Sequence, residues 1–141
     1  MRIARRVAVV SALLMELTFS AAFAADSKNI EGTPQAKAYR ALLKAIDAGD
    51  YDGMKKCMTK ESAAGIEKQT REMNLDVKKG MELMKVMTPK DQKLTSLKVE
   101  GKKATLEATG NAGKEVNKGT IALEQEDGQW KVVNQSWTGA R

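Results

Sequence analysis

Near its C-terminus the chain reads Glu126-Asp127-Gly128-Gln129-Trp130-Lys131-Val132, and no other stretch restricts the fold as much. Asp-Gly between alternating residues marks a tight hairpin, because a two-residue turn needs positive φ and glycine supplies it without steric cost. With Asp127 and Gly128 as the turn, Gln125 faces Trp130, Leu123 faces Val132 and Ile121 faces Asn134. That register puts Ile121, Leu123, Trp130 and Val132 on one face of a sheet and leaves Val133 and Trp137 on the other. A slip of one residue would scatter them. The apolar face so formed must be covered, and the cover has to come from earlier in the chain.

The first residues read differently. Arg2, Arg5 and Arg6 precede an apolar run from Val7 to Leu17, and Ala22-Phe23-Ala24 has the small-x-small form of a cleavage site. This is the grammar of a secretory signal peptide, with Glu16 as a departure inside the run. A retained membrane anchor is the rival reading, although the run falls short of the ~20 apolar residues a spanning helix needs. The expected organisation is therefore a signal peptide over residues 1–24, a flexible leader over 25–33 and a single domain over 34–138. Removal of the signal leaves 117 of the 141 residues and lowers the net charge from +6 to +4. The localisation this implies is periplasmic or secreted, with no membrane attachment after cleavage.

Helical periodicity dominates the next fifty residues. Thr33-Pro34 reads as a cap and first position, and Ala36, Tyr39, Leu42, Leu43 and Ile46 share one face up to Gly49. Asp50 can cap a short helix carrying Tyr51, Met54 and Met58. From Ala63 onward Ile66, Thr70, Met73, Val77, Gly80, Met81, Met84 and Met87 lie within about 60° of one line at 3.6 residues per turn. Leu75, Leu83 and Val86 are apolar but lie off that line. Either this long helix is covered on two sides or it breaks near Asn74 or Gly80. Thr88-Pro89 ends it.

Beyond Pro89 the period falls to two. Residues 94–100, 103–110, 116–126 and 129–137 read as four strands, with Gly101-Lys102 turning the first pair so that Val99 meets Ala104 and Leu97 meets Leu106. Leu97, Val99, Ala104, Leu106 and Ala108 then face inward. Residues 110–114 read as a longer polar loop. Helices followed by an antiparallel meander give an α+β fold, with N-terminal helices packed on a curved four-stranded sheet, cone-like in outline.

Several chemistries are excluded by type. The chain has no histidine, which removes imidazole metal sites and every Ser-His or Cys-His nucleophile. Cys57 is alone, so no internal disulfide forms, and it reads as a small apolar residue of a short helix. The lysines are spread over every segment without clustered aromatics, which is not a nucleic-acid footprint. Gly110-Asn111-Ala112-Gly113-Lys114 fails as a phosphate loop because Glu115 stands where Ser or Thr is needed. Asp50 and Asp52 are explained as helix-start charges, and no acid falls on an expected apolar face. No catalytic residue, metal ligand or cofactor site is read from the sequence.

Six methionines follow residue 24, all on the expected helices. At this spacing methionine ordinarily fills a core; a deformable apolar pocket is the sharper reading. The residues expected to line such a pocket are Tyr39, Leu43, Met73, Val77, Met84, Leu106, Leu123 and Trp130. Tyr39 is the polar tip on its stripe, needing a structural hydrogen bond if buried and offering a ligand contact if the site is open.

Ala45-Ile46-Asp47-Ala48-Gly49-Asp50-Tyr51-Asp52-Gly53-Met54 resembles the opening of small bacterial envelope proteins of the nuclear-transport-factor-2-like (cystatin-like) superfamily. The segments around residues 99–105 and 126–132 resemble its later strands. The resemblance implies a curved sheet wrapped on helices, often with a cavity at the wide end. Its enzymatic members place an Asp base and acidic or Tyr donors in that cavity; no Asp here matches, and only Tyr39 is a candidate donor. The resulting expectation is an exported, non-catalytic binding domain, taking either a small apolar molecule in the pocket or an envelope protein on the sheet. An isomerase or dehydratase of the same fold, a structural or inhibitory envelope protein, and a homodimer through the outer sheet face are the other expectations.

Overall fold

The computed structural model describes residues 23–25 and 29–139, so residues 1–22 of the expected signal segment lie outside it. Helix α1 (Pro34–Ala48) starts where Thr33 accepts a hydrogen bond from the Ala36 amide, and it stops at Gly49, whose φ of 68° is open to glycine. Asp50, Thr59 and Asp76 cap α2 (Tyr51–Lys56), α3 (Lys60–Glu72) and α4 (Val77–Met87) in the same way. The long helical run is thus two helices. Asn74 sits between them at φ 53°, a left-handed conformation that asparagine adopts more readily than other side chains. Gly80 does not break α4; it lets the two helices approach, since a Cβ there would lie 3.3 Å from Thr70 Cγ2.

The sheet follows as an antiparallel meander of β2 (Lys90–Glu100), β3 (Lys103–Ala112), β4 (Glu115–Glu126) and β5 (Gln129–Gly139). A short strand β1 (Phe23–Ala25) pairs with the outer edge of β2. The fold is α+β, with four α-helices among the described residues followed by a curved meander. Asp127 and Gly128 turn at φ 53° and 74°, and they pair Gln125 with Trp130 and Leu123 with Val132 as the dipeptide requires. Leu97 opposite Leu106 and Val99 opposite Ala104 also match the expected pairing.

One strand departs from its expected register. The β4–β5 ladder skips Val133, so Ile121 faces Gln135 rather than Asn134. An extra residue of this kind is a β-bulge, and it reverses which later side chains face inward. The bulge is held from the strand's free edge: the Val132 amide donates to the Cys57 carbonyl at 2.8 Å, and the Thr59 amide donates to the Val132 carbonyl at 3.1 Å. Trp137, expected outside, consequently packs against the core across its partner Gly119. A Cβ on Gly119 would lie 2.6 Å from the indole, so only glycine leaves that ring its place.

Two other expectations are corrected. The polar loop over residues 110–114 is a tight turn, with Ala112 paired to Glu115 and Gly113 at φ 64°. The segment just before α1 is not a loose leader, because Ile30 in the short 3-10 turn Ile30–Gly32 is fully buried. The core joins Ile30, Tyr39, Leu42 and Ile46 to Leu97, Leu106, Ile121, Leu123 and Val132 from the inner sheet face. Leu123 is 1% exposed, and Trp130 is half-buried against the same cluster. No helix among the described residues is long and apolar enough to cross a membrane.

The α3–α4 turn gives a direct check. Asn74→Gly should leave stability within a few tenths of a kcal/mol, whereas Asn74→Val should cost about 1–2 kcal/mol in urea unfolding, since a β-branched residue resists left-handed φ. Equal stability of the two variants would contradict the break at this residue.

Candidate functional site

The helices are not equally attached to the sheet. No residue of α3 is buried, and only Met81 of α4 is. The Lys85 ammonium ties α4 to α1, donating to the Asp47 carbonyl at 3.0 Å and lying 3.4 Å from its carboxylate. Between this helix pair and the ends of β4 and β5 a groove remains open, with a volume of about 580 Å³. Ile66, Met73, Leu75, Leu83, Met84 and Met87 form its helical wall. Asn117, Gln135 and Trp137 form the sheet wall. Met73, Leu83 and Met87 are 51%, 39% and 72% exposed, so much of the apolar surface that the fold leaves in water belongs to this wall.

The sheet wall exists because of the bulge at Val133, which turns Gln135 and Trp137 inward. Behind it lies a buried polar lock. Gln92 donates from Nε2 to the Pro89 carbonyl at 3.0 Å, so its Oε1 is the acceptor that receives the Tyr39 hydroxyl at 2.7 Å. Trp137 Nε1 donates to Gln135 Oε1 at 3.0 Å, which fixes that amide too. The Tyr39 oxygen is also 3.0 Å from Gln135 Oε1. One hydroxyl proton cannot serve both amide oxygens, and the shorter contact to Gln92, which has no other donor, takes it. Burial pushes the Tyr39 hydroxyl up to about 12. Its role is to join α1 to the start of β2.

The eight residues expected to line a pocket separate in space. Met73 and Met84 meet in the groove. Tyr39, Leu106 and Leu123 are in the closed core, Tyr39 reaching the groove only through Gln135. Leu43 lines a separate hollow, beside Asp47, Lys85 and Gln92. Trp130 lines a third hollow with Pro34, Ala41 and Cys57. Val77, 49% exposed, is outside the groove lining. Periodicity missed Leu75 and Leu83, whose departure from the main stripe was the available signal for a second covered side. It also missed Asn117, which follows by alternation from Ile121 on β4, and Gln135 and Trp137, whose inward position depends on a bulge with no sequence signature of its own.

No acid or base lines the groove. Glu31 is held low by its paired hydrogen bonds with Arg40, as a surface ion pair, and burial pushes the Cys57 thiol up, away from nucleophilic use. Among the described residues no group of acids and cysteine is placed to hold a metal ion. The arrangement can enclose apolar material and offer it uncharged hydrogen-bonding groups. In comparisons with known proteins, no family model, no curated protein and no solved structure matches this chain.

The lock predicts a pH signature. A tyrosine whose hydroxyl ionises near 10.0 in the unfolded chain and about 12 in the folded one stabilises the fold below pH 10.0 and loses that contribution as pH rises through about 12. Tyr39→Phe should cost about 1–3 kcal/mol at neutral pH, by leaving Gln92 Oε1 without its donor. The variant should also lose stability less steeply across the alkaline window, keeping what Tyr51, Cys57, Lys55 and Lys98 contribute. Parallel alkaline curves for the two proteins would contradict the assignment.

Proposed function

We propose that this protein is an exported, non-catalytic binding domain of the periplasm or the extracellular space, and that it takes a small apolar molecule in the groove between α3–α4 and the sheet. The observation that carries the reading is the groove's lining: six apolar side chains with Gln69, Thr70 and Thr88 among them on one wall, an indole and two amides on the other, and no ionisable group. Its volume of about 580 Å³ lies within the range of small-molecule sites. Methionine supports it further, because three flexible thioethers can reshape the wall around different ligands. Membership of the nuclear-transport-factor-2-like superfamily remains part of the proposal, resting on the quoted segments and on the order of helices before a curved meander. The isomerase or dehydratase alternative needs a carboxylate beside the bound molecule, and the lining supplies none.

Titration with phenylnaphthylamine, an uncharged apolar dye, tests the reading in a Trp130→Phe background where Trp137 is the single emitter. Saturable energy transfer from Trp137 at micromolar dye is expected. Leu83→Glu, which sets a charge in the wall, should weaken it about tenfold or more while leaving the circular dichroism unchanged. Absence of saturation, or binding that Leu83→Glu does not touch, would remove the small-molecule reading.

A further inference from the structure

The hollow beside Trp130 carries a charge that nothing in its lining balances. It holds about 470 Å³ between the start of α1, the end of α2 and the start of β5. Lys37, Lys56 and Lys131 line it, one from each of these elements, and no acid does. The hollow at Leu43, by contrast, sets Arg40, Lys85 and Lys90 against Asp47 and Asp91, and the groove has no charge at all. Among the described residues none of the three lysines lies in an ion pair. The neighbouring carboxylates have other partners. Asp127 is 3.3 Å from the Lys60 ammonium, and Glu126 accepts from the Lys60 amide at 3.2 Å. Glu124, opposite Lys131 in the ladder, is 3.7 Å from Lys103. Glu31 pairs with Arg40, and Asp50 accepts from the Gly53 amide at 2.9 Å.

The helix ends add to the imbalance. Helix α1 begins at Pro34, in the same lining, which brings the positive end of its dipole to the hollow. The negative end of α2 is answered by Lys131, whose ammonium donates to the Lys56 carbonyl and keeps further protons to give. Like charges gathered in a concavity repel one another and raise the local concentration of anions. Trp130 adds an aromatic surface to this lining. No ammonium is seated on its ring; among the described residues the one such contact is Lys55 over Tyr51.

We infer that this hollow is a second binding site, for a small aromatic anion of the arene carboxylate or sulfonate class. Lys37, Lys56 and Lys131 hold the acid group through charge-assisted hydrogen bonds, and the ring packs on the Trp130 indole. The site is separate from the groove and takes the opposite class of molecule, so the two stand or fall independently.

The probes are naphthoate, naphthylmethanol and naphthylmethylammonium, which share a ring system and differ in charge. Each is titrated at neutral pH and low salt into isotope-labelled protein, and the indole N–H signals of Trp130 and Trp137 are read separately by NMR. Naphthoate is expected to shift the Trp130 signal saturably, to bind about tenfold more tightly than the other two, and to weaken as salt is raised. Lys37→Gln with Lys56→Gln, both at exposed positions, should remove most of that preference. Lys78→Gln with Lys79→Gln on α4 removes the same charge elsewhere on the surface and should leave it within about twofold. No saturable shift at Trp130, equal affinity for the three probes, or an equal loss in both double variants overturns the inference and leaves the groove reading untouched. A hexaglutamate peptide that displaces naphthoate at lower concentration would give the hollow to an acidic protein segment and overturn it too. The three-probe comparison uses the unaltered protein, so it decides even where a variant misfolds.

Discussion

Val133 is one residue more than the β4–β5 ladder can pair, and much of the inner architecture depends on where that surplus is placed. With it, Gln135 and Trp137 turn inward; without it, both would face solvent and the sheet end would present Asn134 and Ser136 to the helices. The Val132 backbone, bonded to Cys57 and Thr59, holds the bulge in place from the strand edge. The connection between α2 and α3 therefore does two jobs, closing the free edge of β5 and fixing the register that builds the groove wall. Gly119 completes the arrangement by leaving room for the indole.

The molecule divides into a closed half and an open half. Around Leu97, Leu106, Ile121 and Leu123 the inner sheet face is sealed by α1, and each such leucine contributes about 1.5–3 kcal/mol by leaving water. Toward the ends of β4 and β5 that sealing stops. The α3–α4 pair bends away at Asn74, keeps Met81 as its buried anchor and leaves most of its other apolar residues partly in water. This helix pair, with Met81 as its single buried residue and otherwise partly buried side chains and surface ion pairs, is the part of the structure with little burial behind it, and elements that move around ligands are drawn from that end of the stability range. Lost burial here leaves a groove whose walls can adjust.

How much of this was legible in the sequence varies with the physical origin of each feature. Turn chemistry was the most readable: Asp127-Gly128 and Gly101-Lys102 named their hairpins because positive φ has few residue solutions. Caps at Thr33 and Asp50 were readable for the same local reason. Periodicity found the helical faces but left a break near Asn74 or Gly80 as one of two alternatives, because a break that preserves the stripe leaves the 3.6-residue pattern intact. The bulge at Val133 was invisible, since β-bulges are decided by tertiary bonds to the strand edge. That single miss moved Trp137 from the outer to the inner face. The sequence carried the candidate site's methionine wall but not its polar wall.

The central claim is that three of the six methionines after residue 24 line an accessible groove while the other three fill a closed core. Methyl NMR of methionine-labelled protein reads both groups at once. On addition of an uncharged apolar probe such as xenon or dodecanol, the methyls of Met73, Met84 and Met87 should shift, and those of Met54, Met58 and Met81 should stay in place. A spectrum in which none of the six moves, or in which the core methyls move first, would contradict the account.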